Sequence, residues 1–295
     1  MKILVSGATG FIGRSLIPTL QKAGHQVYAL VRQTDSRLDK SIQQFTVHTL
    51  KELDEPMDAF INLAGEGIAD KPWTEKRKKS LFDSRVTLTK KIQQALKYCP
   101  KIVISMSAVG LYGSDSNQTY HEESPLPQDG FAHEICQAWE KAAIDFATHG
   151  ARLVIFRLGV VLGPNGGALD KMRPAYLFGL GGKIGNGNQW FAWIHIDDVI
   201  KAINQALSDE KMQGAYNLVA PDIIQQKTFA KSFAASLNRP AVFPLPAFIL
   251  ELALGDMASL LTKGPKILPT RLTNEGVEFT YPAIDGALIA VQNRR

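Results

Sequence analysis

Short apolar runs alternate with amphipathic stretches through the first half of the chain. "KILVSG" reads as a buried strand and leads into a helical pattern from Phe11 to Lys22. "HQVYALVR", "QFTVHTL" and "MDAFINLAG" predict a second, third and fourth strand. A long helical pattern follows from about Thr74 to Tyr98. "KIVISMSAVG" predicts a fifth strand, and "HEICQAWEKAAIDFATHG" a helix closed by Gly150. "RLVIFRLGVVLG" predicts a sixth strand, and "GAYNLVAP" returns to strand character further on. These strands are continuously apolar instead of alternating. A strand of that kind is buried on both faces, so the pattern predicts an α/β fold with a parallel sheet covered by helices on either side.

The texture changes at Pro164. "GPNGGALDKM" and "GLGGKIGNGNQWFAWIHIDD" are rich in Gly, Asn and aromatic residues, as expected of loops over a ligand. From Ile223 helical pieces alternate with prolines. The expected division is residues 1–165 plus 196–222 for the sheet domain, and 166–195 plus 223–295 for substrate-side loops and a smaller C-terminal domain.

The bulk numbers exclude more than they assign. A hydrophobic content of 45% is ordinary for a soluble globular protein, and no apolar run approaches a membrane span. Met1-Lys2 leads directly into a strand pattern, so no signal peptide is expected. Cys99 and Cys136 give neither a disulfide framework nor a metal-ligand spacing, which fits a reducing cytoplasm and predicts no metal site. The net charge of +5 is mild, and no nucleic-acid or membrane partner is expected. The basic run from Lys71 to Arg85 reads either as a solvated helix face or as a positive rim for a phosphate-bearing ligand.

The sharpest chemistry lies in "LVSGATGFIGRSL". Gly7 and Gly10 permit a tight turn and let backbone amides approach a ligand, and Gly13 lets the helix pack close to the strand. The helix that starts near Phe11 points its positive end into that turn, a field that suits a pyrophosphate. The strand before and the helix after are the context that gives this glycine pattern its meaning. Thr9, Phe11 and Ile12 belong to the same expected contact set. At the end of the second strand an NAD site usually carries an acid for the ribose hydroxyl. Here Arg32 stands nineteen residues after Gly13. A guanidinium can fork onto a 2′-phosphate that a carboxylate would repel, so NADP (NADPH) is the expected cofactor. Asp35 offers the competing reading, a ribose contact with Arg32 left on the surface. Arg14 adds a second positive group.

"GATGFIGRSL", "INLAG", "SMSAVGLYG", "RLGVVLGP" and "WIHIDDV", in that order, resemble the extended short-chain dehydrogenase/reductase superfamily. "NLAGEGIADKPWTEKRKKSLFDSRV", "GLGGKIGNGNQWFAWIHIDD" and "PKILPTRLTNEGVEFTYP" resemble one branch of it, the "epimerase family" proteins with their own C-terminal domain. The resemblance covers nearly the whole chain. It implies a Rossmann doubly wound parallel sheet and NADP binding and leaves the small-molecule substrate open, a nucleotide sugar being one candidate, with a homodimer as the oligomer to test.

Leu63, Ala64 and Gly65 close the fourth strand, where a ribose or adenine can approach the backbone; Glu66 can hold a ribose hydroxyl. Arg85 replaces the Asn that superfamily members commonly carry before Val, and can reach a cofactor phosphate or Glu66. Val160 follows the sixth strand, either beside the nicotinamide or as core packing. The superfamily's proton-transfer set is a Ser on the fifth strand with a Tyr and a Lys four apart on the next helix. Ser107 occupies the serine position. With Glu140 as reference, however, Ala132 stands at the Tyr position and Cys136 at the Lys position, so the pair is missing. Tyr112 is the candidate substitute phenol, with packing of its ring under the loop as the competing reading; His133 is expected on the helix surface and Cys136 as a buried thiol. Gln189, Trp190, Trp193 and His195 are the expected substrate contacts, with the two indoles either stacking on a ring or wedging the second domain. Asp197 or Asp198 is expected to cap the following helix. Two functions follow: an NADP-dependent oxidoreductase or epimerase-like enzyme with an unusual proton donor, or an inactive NADPH-binding sensor or scaffold.

Overall fold

The structure, a computed structural model, describes residues 1–294. Its centre is a seven-stranded, all-parallel sheet: β1 (Lys2–Ser6), β2 (Gln26–Leu30), β3 (Gln43–Phe45), β4 (Ala59–Asn62), β5 (Ile102–Ala108), β6 (Arg152–Leu158) and β7 (Gly214–Leu218). The spatial order is β7-β6-β5-β4-β1-β2-β3. The order reverses between β1 and β4, and in such sheets a crevice opens at the carboxyl ends of those strands. This is the expected Rossmann doubly wound sheet. Continuous apolar strands follow from burial on both faces: Ile3, Val5, Ile61, Ile104 and Val154 enter one core, Leu4, Phe60, Val103, Leu153 and Ile155 the other.

The helices include α1 (Phe11–Lys22), α2 (Glu75–Phe82), α3 (Leu88–Ala95), α4 (Gly130–Ala147), α5 (Gly167–Leu177), α6 (Ile196–Ser208), α7 (Gln226–Ser236) and α8 (Ala247–Leu254). Two departures from the sequence pattern matter. The long helical stretch ends at Ala95 and is broken into α2 and α3 by a π turn over Asp83–Thr87, centred on Arg85. The sixth strand stops at Leu158. After Gly159, where a Cβ would press within 2.8 Å of the Ala192 carbonyl oxygen, Val160–Leu162 leaves the sheet and pairs in parallel with Trp193–His195.

A third core is built from the later chain. Leu162, Leu169, Tyr176 and Trp193 pack with Phe229 and Phe233 of α7 and with Ile284 and Leu288 of the C-terminal helix Ile284–Asn293. Asp198, in the first turn of α6, ties that tail down by accepting from the amides of Thr280 (2.6 Å) and Tyr281 (3.1 Å). By contrast, α8 buries none of its residues.

Candidate functional site

The first turn of the cleft is set by glycine. Gly7 sits at φ +69°, and a Cβ there would come within 2.7 Å of the Leu63 carbonyl carbon at the end of β4. At Gly13 a Cβ would overlap the carbonyl oxygens of Gly7 and Ala8. The turn closes with Gly10 N–H donating to the Gly7 carbonyl at 2.9 Å. Gly10 is the N-cap of α1, with no side chain capping it and no acid in the first turn. The helix therefore presents unsatisfied amides and its positive end to the cleft, with nothing negative in front of them. Thr9 is half-buried, and Ile12 packs against the sheet core. The ring of Phe11 lies under the loop that follows β6, touching the positions of Gly163, Gly166 and Gly167. Its side chain thus anchors that loop.

At the end of β2, Arg32 is exposed and makes no hydrogen bond or ion pair among the described residues. Asp35 is already occupied: Arg37 Nε and Nη2 donate to its two oxygens at 2.9 and 2.6 Å, and these bonds hold its carboxyl down to about 2. The competing ribose acid is therefore satisfied within the loop. Arg14 reaches the other rim, its Nη2 donating at 3.4 Å to the carbonyl of Asn165.

Behind the end of β4 runs a buried chain of bonds. Ser6 Oγ donates to Asn62 (2.7 Å), Asn62 Nδ2 to Thr89 Oγ1 (2.9 Å), and Thr89 Oγ1 to the Arg85 carbonyl (2.6 Å). This fixes the π turn against the strand end. Arg85 then folds over Gly65, its guanidinium carbon 5.3 Å from the Trp139 ring. Its hydrogen bonds go to neutral oxygens: the Glu66 carbonyl at 2.7 Å and Ser84 Oγ at 3.2 Å. Burial pushes its pKa down. Glu66 departs from the expected ribose contact. Its carboxylate accepts from Arg77 and from Ser80 Oγ, because α2 turns its basic face back onto the loop.

Ser107 closes β5 as the pattern requires, but its hydroxyl donates to Glu140 Oε1 at 2.8 Å. Glu140 is gripped by Arg157, Nε to Oε1 and Nη2 to Oε2, both at 2.9 Å. Tyr112 departs from the expected role. It is fully buried, its hydroxyl donates to Asn217 Oδ1 at 2.7 Å, and Arg157 Nη1 donates to it at 2.7 Å. A phenol so enclosed is a network member, with no face toward a ligand. His133 also departs: it is buried, its Nδ1 2.7 Å from the Leu111 carbonyl. Ala132 faces Gly110, and burial pushes the Cys136 thiol up to about 12, so it carries no thiolate at neutral pH.

The expected substrate set is mostly structural. Gln189 is buried and donates to the Leu261 carbonyl at 2.9 Å. Trp193 lies in the third core with Nε1 donating to the Asp222 carbonyl at 3.1 Å, the wedge and not the stacking platform. His195 is fully buried, and it is His195, not Asp197 or Asp198, that caps α6: its Nδ1 accepts from Asp197 N–H at 3.2 Å. Its ring packs 4.0 Å from Tyr281, and burial lowers its pKa. Trp190 alone stays half-exposed, with Lys266 over its ring. Val160 is half-buried beside Trp193.

With this geometry in place, comparison with known proteins is decisive. A family model described as the NAD dependent epimerase/dehydratase family matches residues 3–218. The chain belongs to that family. A second model, a domain of unknown function (DUF1731), matches residues 245–291. Epimerase family protein YfhF of Bacillus subtilis is 37% identical over 98% of this chain and 97% of its own length. The chloroplastic SDR39U1 homolog of Arabidopsis thaliana is 34% identical over 99% of this chain and 86% of its own. The crystal structure of human epimerase family protein SDR39U1 (isoform 2) with NADPH superposes with a TM-score of 0.90 at 32% identity, covering all of both chains. Among the described residues no helix is long and apolar enough to cross a membrane.

Proposed function

We propose that this protein binds NADP(H) across the β1–β4 crevice and exchanges hydride with a small molecule, as a cytoplasmic oxidoreductase or epimerase-like enzyme. The observation that carries the reading is the pairing of an uncapped helix end behind Gly7 and Gly10 with a free Arg32 at the next strand end. The bare turn fits a diphosphate, and only glycine holds it, since a Cβ at Gly7 would strike the Leu63 backbone at the end of β4. Arg32, with Asp35 engaged by Arg37, suits a 2′-phosphate in place of a free ribose hydroxyl. The NADPH-bound human relative supports the same cofactor. When bound, NADP(H) supplies the hydride. The chain's own part is to hold the diphosphate on the α1 amides and the adenosine end on Arg32. Arg85, a half-buried cation whose hydrogen-bond acceptors are neutral oxygens, places a positive charge at the β4 end of the cleft.

Changing Arg32 to Ala is expected to weaken NADPH binding about 10- to 100-fold, the range of one to two charge-assisted bonds, and to leave NADH binding nearly unchanged. Incubation with [4-²H]NADPH and carbonyl metabolites is expected to place deuterium on carbon. A second reading, an NADPH sensor without turnover, draws on Ala132 and the neutral Cys136 where the Tyr–Lys pair would stand. Tight NADPH binding with no deuterium transfer to any carbonyl would select it.

A further inference from the structure

Most of the large apolar side chains left exposed on the described residues gather in one region. They fall on two strips, 177–180 and 242–252. The two segments run side by side: Arg239 Nε donates to the Leu177 carbonyl at 3.0 Å, and the Leu245 amide to the Lys183 carbonyl at 2.8 Å. Phe178 and Leu252 are 82% and 88% exposed, and Phe243 and Phe248 stand out with them. Helix α8 reads "AFILELAL", with Glu251 its one charge, and none of its residues is buried. A helix apolar on every side is the kind that sits in a core or in lipid. At eight residues this one is far too short to cross a bilayer.

Next to these strips a groove of about 1090 Å³ opens between α7, the 241–244 segment and the C-terminal helix. Ala230, Val242, Pro244 and Ile289 line it, and its charges are Lys183, Lys227 and Lys231 against the single carboxylate of Asp285. Lys227 and Lys231 are neighbours one turn apart on α7. Gly187, at φ +72°, lets Lys183 approach them: a Cβ there would lie 2.7 Å from the Lys227 Cβ and 3.1 Å from the Lys183 Cβ. Lys227 Nζ donates to the neutral Asn188 Oδ1 at 2.9 Å. Lys183 and Lys231 are exposed and have no ion pair among the described residues. Cations gathered in this way repel one another, so an anion placed among them is favoured.

Three occupants differ in what they ask of this surface. A second copy would turn the same lysines toward each other, since a two-fold contact pairs one surface with itself. A free amphiphile could fill the groove but would leave Phe178, Phe248 and Leu252 in water. An anionic bilayer satisfies both features at once. Its headgroup phosphates meet the lysines, and the protruding rings and leucine enter the boundary between headgroups and acyl chains, where no matching hollow is needed. We propose that this face docks the protein reversibly on an anionic lipid surface, with α8 lying in the interface and Lys183, Lys227 and Lys231 on the headgroups. Net charge and apolar run length, which gave no sign of a membrane partner in the sequence, do not register a patch assembled from separate segments.

The test is co-sedimentation of the full chain with vesicles of phosphatidylcholine, alone or with about one-third phosphatidylglycerol to supply the negative surface potential. Binding is expected on the anionic vesicles, falling as salt is raised, and much weaker on phosphatidylcholine alone. Phe248→Ser combined with Leu252→Ser is expected to weaken it about tenfold or more. Lys183→Gln and Lys231→Gln are each expected to weaken it about fivefold. All four side chains are exposed, so NADPH affinity and melting temperature are expected to hold, which separates loss of the surface from loss of the fold. Absence of binding to anionic vesicles overturns the proposal, as does equal binding to both kinds of vesicle, or binding that none of the variants alters. Where vesicles are ignored, a self-association that the Phe248 and Leu252 double variant abolishes assigns the face to a second copy, and capture of dodecyl phosphate assigns the groove to a free amphiphile; either result overturns it.

Discussion

Glu140 accepts a serine hydroxyl at 2.8 Å and two guanidinium nitrogens at 2.9 Å, and its side chain is only 11% exposed. A paired, hydrogen-bonded charge is tolerable in such a place; an unpaired one is not. Glu140→Gln leaves Arg157 buried without its counter-charge and should destabilise the fold by about 3–5 kcal/mol, read by denaturant unfolding. The sequence held a signal for this network: Arg157 follows the apolar run "LVIF" deep in a strand, where a charge is buried only with a partner. Its consequence for Tyr112 was not legible, because Asn217 and Glu122, which complete the enclosure, come from distant strands and loops. His195 shows the same limit. Spacing favours Asp as a cap, yet the imidazole caps α6 while Asp198 binds the tail. Burial lowers the His195 pKa, so the folded state holds it neutral where the unfolded chain would protonate it. Its contribution is full above the ordinary value of about 6.5 and is lost as pH falls below it. His195→Asn, which can still cap, should flatten the decline of the melting temperature between about pH 7 and pH 5 relative to the unaltered chain.

Elements were legible where the hydrophobic period was unbroken. The strands of the sheet and α1 follow directly from apolar runs and from Gly7 and Gly13. The π turn at Asp83–Thr87 was not, since its sequence "DSRVT" continues the helical pattern and what singles it out is the tertiary bond from Asn62 to Thr89, whose hydroxyl in turn donates to the Arg85 carbonyl. Such turns occur often at functional sites, and this one aims Arg85 over Gly65. The C-terminal helix depends on a different element. Two amides of the 280–281 segment bond to Asp198, and the Ile284 amide donates to Asp222 at 3.0 Å. Asp198→Ala should remove about 2–4 kcal/mol and loosen the tail first, seen as faster amide exchange over residues 280–293 with the sheet strands still protected.

At the scale of the whole molecule, two bodies of core meet at the carboxyl edge of one sheet. The first supplies a bare turn, a helix end and a free cation. The second supplies a core of its own and a tail that locks onto α6. Family membership accounts for the frame, and a shared frame leaves the reaction open. The most direct measurement is calorimetric titration of the purified chain with NADPH and with NADH under the same conditions. Saturable binding with NADPH at least about tenfold tighter is the predicted result, the share of one forked guanidinium–phosphate contact. Equal or tighter binding of NADH, or no heat from either nucleotide, would contradict it.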